Sequence, residues 1–492
     1  MTPEFFDAPL PDAVFKAYDI RGVVPEQLNA DFAHLLGRAL AQQAHSAGVQ
    51  SLVVGCDGRL SSPELSAALQ QGVMQGGVNV LDVGTVPTPL VYFAAHVCQD
   101  PVYPTSPAYQ DCAQEAQNGA GASGVMITGS HNPPQYNGFK MMLGGVTLHG
   151  PLVQELKVLM QQFAAVPDSD QAHATQGTRR QMDIIPAYIQ RIVGDVKLAR
   201  PMKIAIDCGN GVAGAVAPQL FEALGCQVDT LFCEVDGRFP NHHPDPADPH
   251  NLQDLIVHVQ QHGCELGLAF DGDGDRLGVV IPSGEIIWPD RQLILYARDI
   301  LTRQPGATII FDVKCSRHVG EAVRQAGGQA LMWQTGHSMI KAKLKETGAA
   351  LAGEMSGHTF FKERWYGFDD GLYTGTRLLE ILSRSADAAA MLAALPKGIS
   401  TPELKIPMQE GQPHVLIRAL QTQGQFSTAT QCITMDGVRA EYVDGFGLAR
   451  ASNTTPVVVL RFEADTDAAL QRIQAEFRTA LLALDTTLAL PF

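Results

Sequence analysis

Three aspartates at alternate positions, Asp271, Asp273 and Asp275, stand in the run Asp-Gly-Asp-Gly-Asp-Arg at the end of an apolar stretch. Carboxylates this close repel one another unless a hard cation gathers them, and the intervening glycines let the backbone curl until all three point inward. A solvated acidic turn would account for two aspartates better than for three. An EF-hand is excluded, because Arg276 stands where that loop requires glycine and Pro282 where it requires glutamate. Few ligands and hard oxygen donors point to magnesium, shared with a phosphate oxygen.

A second stretch, GVMITGSHNPPQYNGFK, runs from Gly124 to Lys140. Its apolar lead-in ends in a Pro-rich turn that raises Ser130 and His131 on a loop, with Lys140 nearby. The Ser-His dipeptide is not a triad by itself, since triad partners come from separate places in the chain. A lone turn serine would be read as a cap. Beside a lysine and with a metal loop elsewhere, it reads as a phosphoryl carrier: a phosphoserine carries about −1.5 to −2 charge, which magnesium and lysine would neutralise as the group moves.

Two further loops offer ligand-binding chemistry. In GEMSGH, Glu354, Ser356 and His358 alternate on an expected extended stretch, so they should share one side and suit vicinal sugar hydroxyls. RASNTTP, from Arg450 to Pro456, gathers a guanidinium, hydroxyls, an amide and backbone N–H groups that fit a phosphate. Either one alone would read as a polar turn.

The elements that must carry these loops recur three times. Short apolar runs ending on aspartate stand at Leu52–Asp57, Ile204–Asp207 and Ile309–Asp312. Their continuous apolarity predicts parallel strands covered on both faces. Helical spacing follows each of them, as over 63–74 and 212–224, and second strands are expected from Val78, Cys226 and Gly328. The third strand of each set leads into one of the three unusual loops. Ligands of open α/β sheets bind beyond the carboxyl ends of strands, so the loops are expected to face one cleft. The fold class expected is α/β: three related doubly wound mixed α/β domains around a central cleft, plus a smaller C-terminal α+β domain. Boundaries are placed at 1–178, 179–285, 286–398 and 399–492. In the end domain a strand over 457–465 precedes a helix with Leu470, Ile473, Phe477, Leu481 and Leu484 on one stripe. The Pro-, Gly- and Gln-rich residues 100–122 are expected to be a surface excursion.

Whole-chain properties narrow the function classes. At 492 residues the chain is too long for one ordinary core. Its formal charge of −16 argues against nucleic-acid and anionic-membrane partners, and no apolar run approaches the ~20 residues that span a bilayer. The N-terminus lacks the features of a secretory leader, and nine cysteines without a C-x-x-C suggest neither a disulfide framework nor a zinc site. The chain is expected to be cytoplasmic.

Together the four loops resemble the α-D-phosphohexomutase superfamily, closest to its bacterial phosphomannomutase/phosphoglucomutase branch. The resemblance rests on Thr128–Pro133, Asp271–Arg276, Gly353–His358 and Arg450–Thr454, in that order along nearly the whole chain. AYDIRG at Ala17–Gly22, DVKCSR at Asp312–Arg317 and TGHSMIK around His337 extend it. It implies reversible interconversion of hexose 1-phosphate and hexose 6-phosphate, with mannose or glucose as the sugar, through phospho-Ser130 and a hexose 1,6-bisphosphate that also serves as activator. Mg2+ would sit on Ser130, Asp271, Asp273 and Asp275. Arg21, Lys140 and Arg276 would position groups and stabilise charge. Proton transfer falls to His131 or His337, between which the sequence does not choose. Substrate contacts would come from Tyr18, Lys314, His337, Glu354, Met355, Ser356, Gly357 and His358, and from Arg450, Ala451, Ser452, Asn453 and Thr454 on a separate, hinged end domain. A monomer with a small phosphosugar as its partner is expected. Met355 resembles enzymes that accept both sugars; phosphoglucosamine mutase and a serine-dependent sugar phosphatase are the alternatives.

Overall fold

The computed structural model describes residues 10–97, 121–165, 175–453 and 455–492. The expected surface excursion lies outside the described residues except for its last two, and Thr454 lies outside them as well. Two compact units divide the chain: Met1–Trp288 with Ser356–Ala393, and Pro289–Met355 with Ala394–Phe492.

The first unit begins with strands β1 (Ile20–Val23), β2 (Ser51–Cys56), β3 (Asn79–Thr85), β4 (Gly124–Ile127) and β5 (Tyr136–Leu143), in spatial order β1-β5-β4-β2-β3. β2 pairs in parallel with both β3 and β4, whereas β5 returns antiparallel to β4. Leu52, Val53, Val54 and Cys56 of β2 are all buried, which is why its apolar residues run on without alternation. The helices Ala30–Ser46 and Ser62–Gln75 contribute Phe32, Leu36, Leu40, Leu65, Leu69 and Val73 to one core with Leu52 and Val54. Asn29 caps the first helix, its side chain accepting from Phe32 N at 2.9 Å.

The same plan is repeated in β6 (Lys203–Asp207), β7 (Gln227–Leu231), β8 (Leu266–Phe270) and β9 (Leu277–Val280), ordered β9-β8-β6-β7. β6 is parallel to β7 and β8, and β9 is antiparallel to β8. The serine loop between β4 and β5 and the aspartate loop between β8 and β9 therefore occupy equivalent places. The helix expected over 212–224 is broken: Val212–Ala215 forms a 3-10 turn and the α-helix opens at Ala217. Pro218 explains the break, because proline fits a helix's first turn but not its interior.

The second unit carries β10 (Thr308–Asp312), β11 (Gln329–Trp333) and β12 (Leu351–Gly353), with β10 parallel to both neighbours. Its remaining part has β13 (Val438–Tyr442), β14 (Gly445–Ala451) and β15 (Val457–Ala464) in an antiparallel meander. Helix Asp467–Leu484 covers that sheet with Ile473, Phe477 and Leu481, all fully buried. The end domain, expected to be separate and hinged, makes contacts with the segment after β10. Arg461 Nη2 lies 3.1 Å from Asp290 Oδ2, and its Nη1 donates to the Lys314 carbonyl. Arg439 Nη1 donates to the carbonyls of Val313 (2.5 Å) and Cys315 (2.7 Å). Val313 also packs in a small core with Phe446 and Leu448. Arg461→Met should therefore leave Asp290 buried without its cation and lower the unfolding free energy by about 3–5 kcal/mol in a urea titration. An unchanged midpoint and slope would show that the junction does not depend on this pair.

Candidate active site

After Ile127 the chain reverses, and Ser130 takes a φ of +49°. This left-handed conformation costs a non-glycine residue about 1–2 kcal/mol. Arg59 offsets that cost from inside the loop. Its side chain is 1% exposed and donates to four carbonyls, those of Ser130 (2.7 Å), Asn132 (2.6 Å), Pro133 (2.7 Å) and Tyr136 (3.0 Å). Asp57, one residue beyond β2, holds Arg59 in turn: its Oδ2 lies 3.1 Å from Arg59 Nε and accepts from Thr128 Oγ1 at 2.8 Å. Phe239 lies under the guanidinium, 5.1 Å from its carbon. The serine expected on an exposed loop is thus only 2% exposed. Its Oγ stands 3.2 Å from His131 Nδ1 and 3.2 Å from Asp271 Oδ2.

The aspartate loop meets the serine loop where Gly272 approaches it. A Cβ at Gly272 would stand 2.4 Å from the Ser130 carbonyl oxygen, so only glycine permits this approach. Asp271, Asp273 and Asp275 are fully buried, with one carboxylate oxygen from each lying within 4.8 Å of the others. Lys140 is brought in by the β4–β5 register, opposite Met126, and its Nζ bridges Asp273 Oδ2 (2.7 Å) and Asp275 Oδ2 (2.5 Å). Burial works against the ammonium charge, but the two carboxylates overcome it and hold Lys140 well above its usual range. Asp271 receives less: burial, then Asp275 and Asp273, push it well above the usual carboxylate range. Asp273 Oδ1 is buried without a hydrogen-bond partner among the described residues. An acceptor left without a partner, three crowded carboxylates and an adjacent serine oxygen fit a hard divalent cation held by Ser130, Asp271, Asp273 and Asp275.

Around this centre Arg276 Nε donates to His358 Nε2 at 3.3 Å, and His358 Nδ1 lies 2.9 Å from Ser356 Oγ. Arg21 Nη1 donates to Asn132 Oδ1 at 2.5 Å and pairs with Asp19 at 2.6 Å. Tyr18 is buried two residues after Lys16 and close in sequence to that pair. Burial, then Arg276 and Arg21, push His131 well below the usual imidazole range, so it is neutral. The sugar loop departs from expectation. Residues 355 and 356 turn and Gly357 takes φ +105°, so alternate side chains do not share one side of an extended strand.

The second unit collects other expected residues. Asp312 Oδ1 accepts from Met355 N at 3.2 Å, and Glu354 Oε1 accepts from Gly336 N at 2.6 Å, just ahead of His337. Asp436 Oδ2 bridges Thr335 N (3.0 Å) and Arg450 Nε (3.1 Å), so the His337 and Arg450 loops share one carboxylate. Lys314 Nζ lies 3.3 Å from Glu403 Oε2. Ala451 ends β14, and Ser452 N donates to Val457 O at 3.0 Å as the chain turns through Asn453.

Comparison with known proteins follows this geometry. Residues 12–164, 186–284 and 288–398 match phosphoglucomutase/phosphomannomutase alpha/beta/alpha domains I, II and III, and residues 403–480 match the C-terminal domain. The chain belongs to the phosphoglucomutase/phosphomannomutase family. A phosphomannomutase/phosphoglucomutase of Pseudomonas putida is 53% identical over 99% of this chain and 99% of its own. A phosphoglucomutase of Neisseria gonorrhoeae is 54% identical over 95% of this chain and 96% of its own. The crystal structure of a phosphoglucomutase/phosphomannomutase family protein from Burkholderia thailandensis has a TM-score of 0.89 at 52% identity, covering 98% of this chain and 100% of that one. The family's four-domain architecture is the one expected from the sequence.

Sequence reasoning within this family pattern missed several supports. Asp57 and Arg59 showed only as the Asp-Gly-Arg that ends the first apolar run. Thr88, whose Oγ1 donates to Asp273, gave no signal beyond a Pro-Thr-Pro turn. The pair Asp369–Asp370 before a helical pattern was a readable N-cap: Asp370 caps the helix Gly371–Leu382, whose first N–H donates to Gly274 O at 3.2 Å and so buttresses the aspartate loop. Asp370 also accepts from Tyr188 Oη at 2.8 Å and Trp365 Nε1 at 3.1 Å. Burial nevertheless raises its carboxyl to about 7. Above pH 4 the unfolded chain gives up this proton while the fold keeps it, so the group's contribution to stability falls as pH rises from 4 to 7. Asp370→Asn should gain on the parent by roughly 3 kcal/mol between pH 4 and pH 7 in paired urea titrations. A difference that is flat with pH would show an ionised Asp370 in the fold.

Proposed function

We propose that this protein interconverts hexose 1-phosphates and hexose 6-phosphates, with mannose and glucose as the sugars. The observation that carries the reading is the Ser130 hydroxyl standing 3.2 Å from Asp271 beside the buried aspartates and Lys140. The names of relatives more than half identical, which cover both sugars, support the choice of substrate. The proposal keeps four domains at 1–178, 179–285, 286–398 and 399–492.

In the first half-reaction the bond from phosphorus to Ser130 Oγ breaks and a bond to the sugar O6 forms, giving a hexose 1,6-bisphosphate. The O6 proton passes to a base. His131, neutral and 3.2 Å from Ser130 Oγ, is suited to exchange a proton at that oxygen; His337 is the candidate for the sugar hydroxyl. After the sugar reverses, the bond from phosphorus to O1 breaks as one to Ser130 Oγ forms, the base returns its proton to O1, and the 6-phosphate leaves. Bound Mg2+ would supply charge stabilisation on the transferring oxygens. Lys140 and Arg276 add fixed positive charge there, while Arg21 orients the serine loop through Asn132. Tyr18, Lys314, Glu354, Met355, Ser356, Gly357 and His358 are proposed to bind the sugar. Arg450, Ala451, Ser452, Asn453 and Thr454 are proposed to hold the phosphate that does not react.

Hexose 1,6-bisphosphate is the proposed activator, since it restores phospho-Ser130. No nucleic acid or membrane is proposed as partner, and no described helix is long and apolar enough to cross a membrane. A cytoplasmic monomer is proposed; free thiols at all seven described cysteines agree with a reducing compartment.

Phosphorus NMR on mannose 1-phosphate and glucose 1-phosphate, with Mg2+ and a trace of the bisphosphate, should show 6-phosphate growing without inorganic phosphate. EDTA should stop the reaction and Mg2+ restore it. Ser130→Ala should abolish it; undiminished turnover would remove Ser130 as carrier, and accumulating phosphate would mean a hydrolase. Arg59→Lys should cost about 10²-fold in kcat with KM little changed, because a single ammonium cannot span four carbonyls and the serine oxygen loses its aim. A change in KM alone would place Arg59 in substrate binding.

A further inference from the structure

At the edge of the second sheet, away from the serine loop, lies another set of donor atoms. Asp229 stands on the edge strand β7, His258 and His262 stand one turn apart on the helix Gln253–His262, and Cys264 follows just ahead of β8. Asp229 Oδ2 lies 3.2 Å from His258 Nε2 and 3.4 Å from Cys264 Sγ, and the three donor atoms all fall within 4.8 Å of one another. Bonds of about 2.0–2.3 Å to a tetrahedral ion separate its ligand atoms by roughly 3.3–3.6 Å, so the spacing already approaches that of a shared coordination shell.

A second observation comes from the helix. His262 stacks on His258 with ring centroids 3.9 Å apart and planes 13° from parallel. Stacked rings keep their in-plane lone pairs side by side, so His262 fixes the orientation of the His258 ring and is not itself a ligand. His262 Nδ1 lies 3.1 Å from the His258 carbonyl, a contact that holds its ring in the stack. Cys264 is buried in a core with Leu255 and Val259, whereas His258 is half-buried and His262 exposed, so the imidazole side is open to an entering ion.

We infer that Asp229, His258 and Cys264, with water as the fourth ligand, form a binding site for a zinc-class divalent ion that clips β7 to the helix ahead of β8. A thiolate and an imidazole select a borderline ion over magnesium, which the oxygen-only aspartate loop suits. On binding, the metal–sulfur bond forms as the S–H bond breaks, and the thiol proton leaves to solvent. Lys203 Nζ, 3.6 Å from Asp229 Oδ2 and donating to the His262 carbonyl at 2.6 Å, places a positive charge beside the site and tempers its affinity. Strand β8 separates Cys264 from Asp271 by roughly 20 Å, so the ion would act on the cohesion of this domain and not on the chemistry at Ser130. The lack of a C-x-x-C concealed the set, because its ligands converge from a strand, a helix and a loop.

Full-length protein saturated with Mg2+, to fill the aspartate loop, would be titrated with Co2+ and followed by absorption. One equivalent should bind with tetrahedral visible bands and a thiolate-to-cobalt charge-transfer band, and Zn2+ should displace it. Cys264→Ser should lose the charge-transfer band. His258→Gln, a surface change that keeps the fold testable by its cobalt-free melting curve, should weaken Co2+ binding by about tenfold or more. Cobalt bound without the charge-transfer band, or bound equally well by the parent and His258→Gln, would overturn the assignment.

Discussion

One guanidinium enclosed by backbone carbonyls sets the position of Ser130. Arg59 fills the inside of the serine loop, and the four carbonyls that turn toward it would otherwise be buried acceptors without donors. Hydrogen bonds to a charged group are worth about 1.5–3 kcal/mol each, so together they outweigh the left-handed backbone at Ser130. Asp57 keeps the cation from being a lone buried charge and ties it to the end of β2. The loop's shape is therefore referred to an interior strand of its sheet. That is a rigid reference for an atom that must meet another loop within a fraction of an ångström.

The second constraint is electrostatic. Lys140 satisfies one oxygen each of Asp273 and Asp275, while Asp271, the carboxylate nearest Ser130, is left with Arg276 Nε at 3.7 Å. The centre is thus compensated away from the serine and under-compensated beside it. A phosphoryl group on Ser130 would add negative charge on the side where compensation is least, and this polarity gives a cation its place. In the second unit Lys314 and Arg450 stand among Asp312, Glu354, Glu403 and Asp436.

Much of this was legible in the residues, for physical reasons that also mark the limits. The threefold strand pattern was readable because strands covered on both faces must be apolar throughout, and β2, β6 and β10 each pair in parallel with two neighbours. The aspartate and serine loops were readable because their chemistry is local in sequence. Arg59 was not, since its partners lie more than 70 positions away and nothing near it hints at them. The sugar loop misled because alternation was taken to mean an extended strand, whereas Gly357 turns the chain. The end domain's attachment depends on Arg439 and Arg461, which in sequence look like ordinary strand charges.

The β4–β5 register carries one more consequence. Phe139 and Lys140 face opposite sides of the same strand, one packed in the helix-covered core and the other on the aspartates. Shifting β5 by a single position would exchange them, burying an ammonium among apolar side chains and offering a benzene ring to carboxylates. The hairpin that displays Ser130 is accordingly constrained in parity as well as in composition. A lineage can lengthen or shorten it by two residues and keep its alternation, but an odd insertion or deletion needs a compensating bulge. Arithmetic along the backbone thus governs how this loop can evolve.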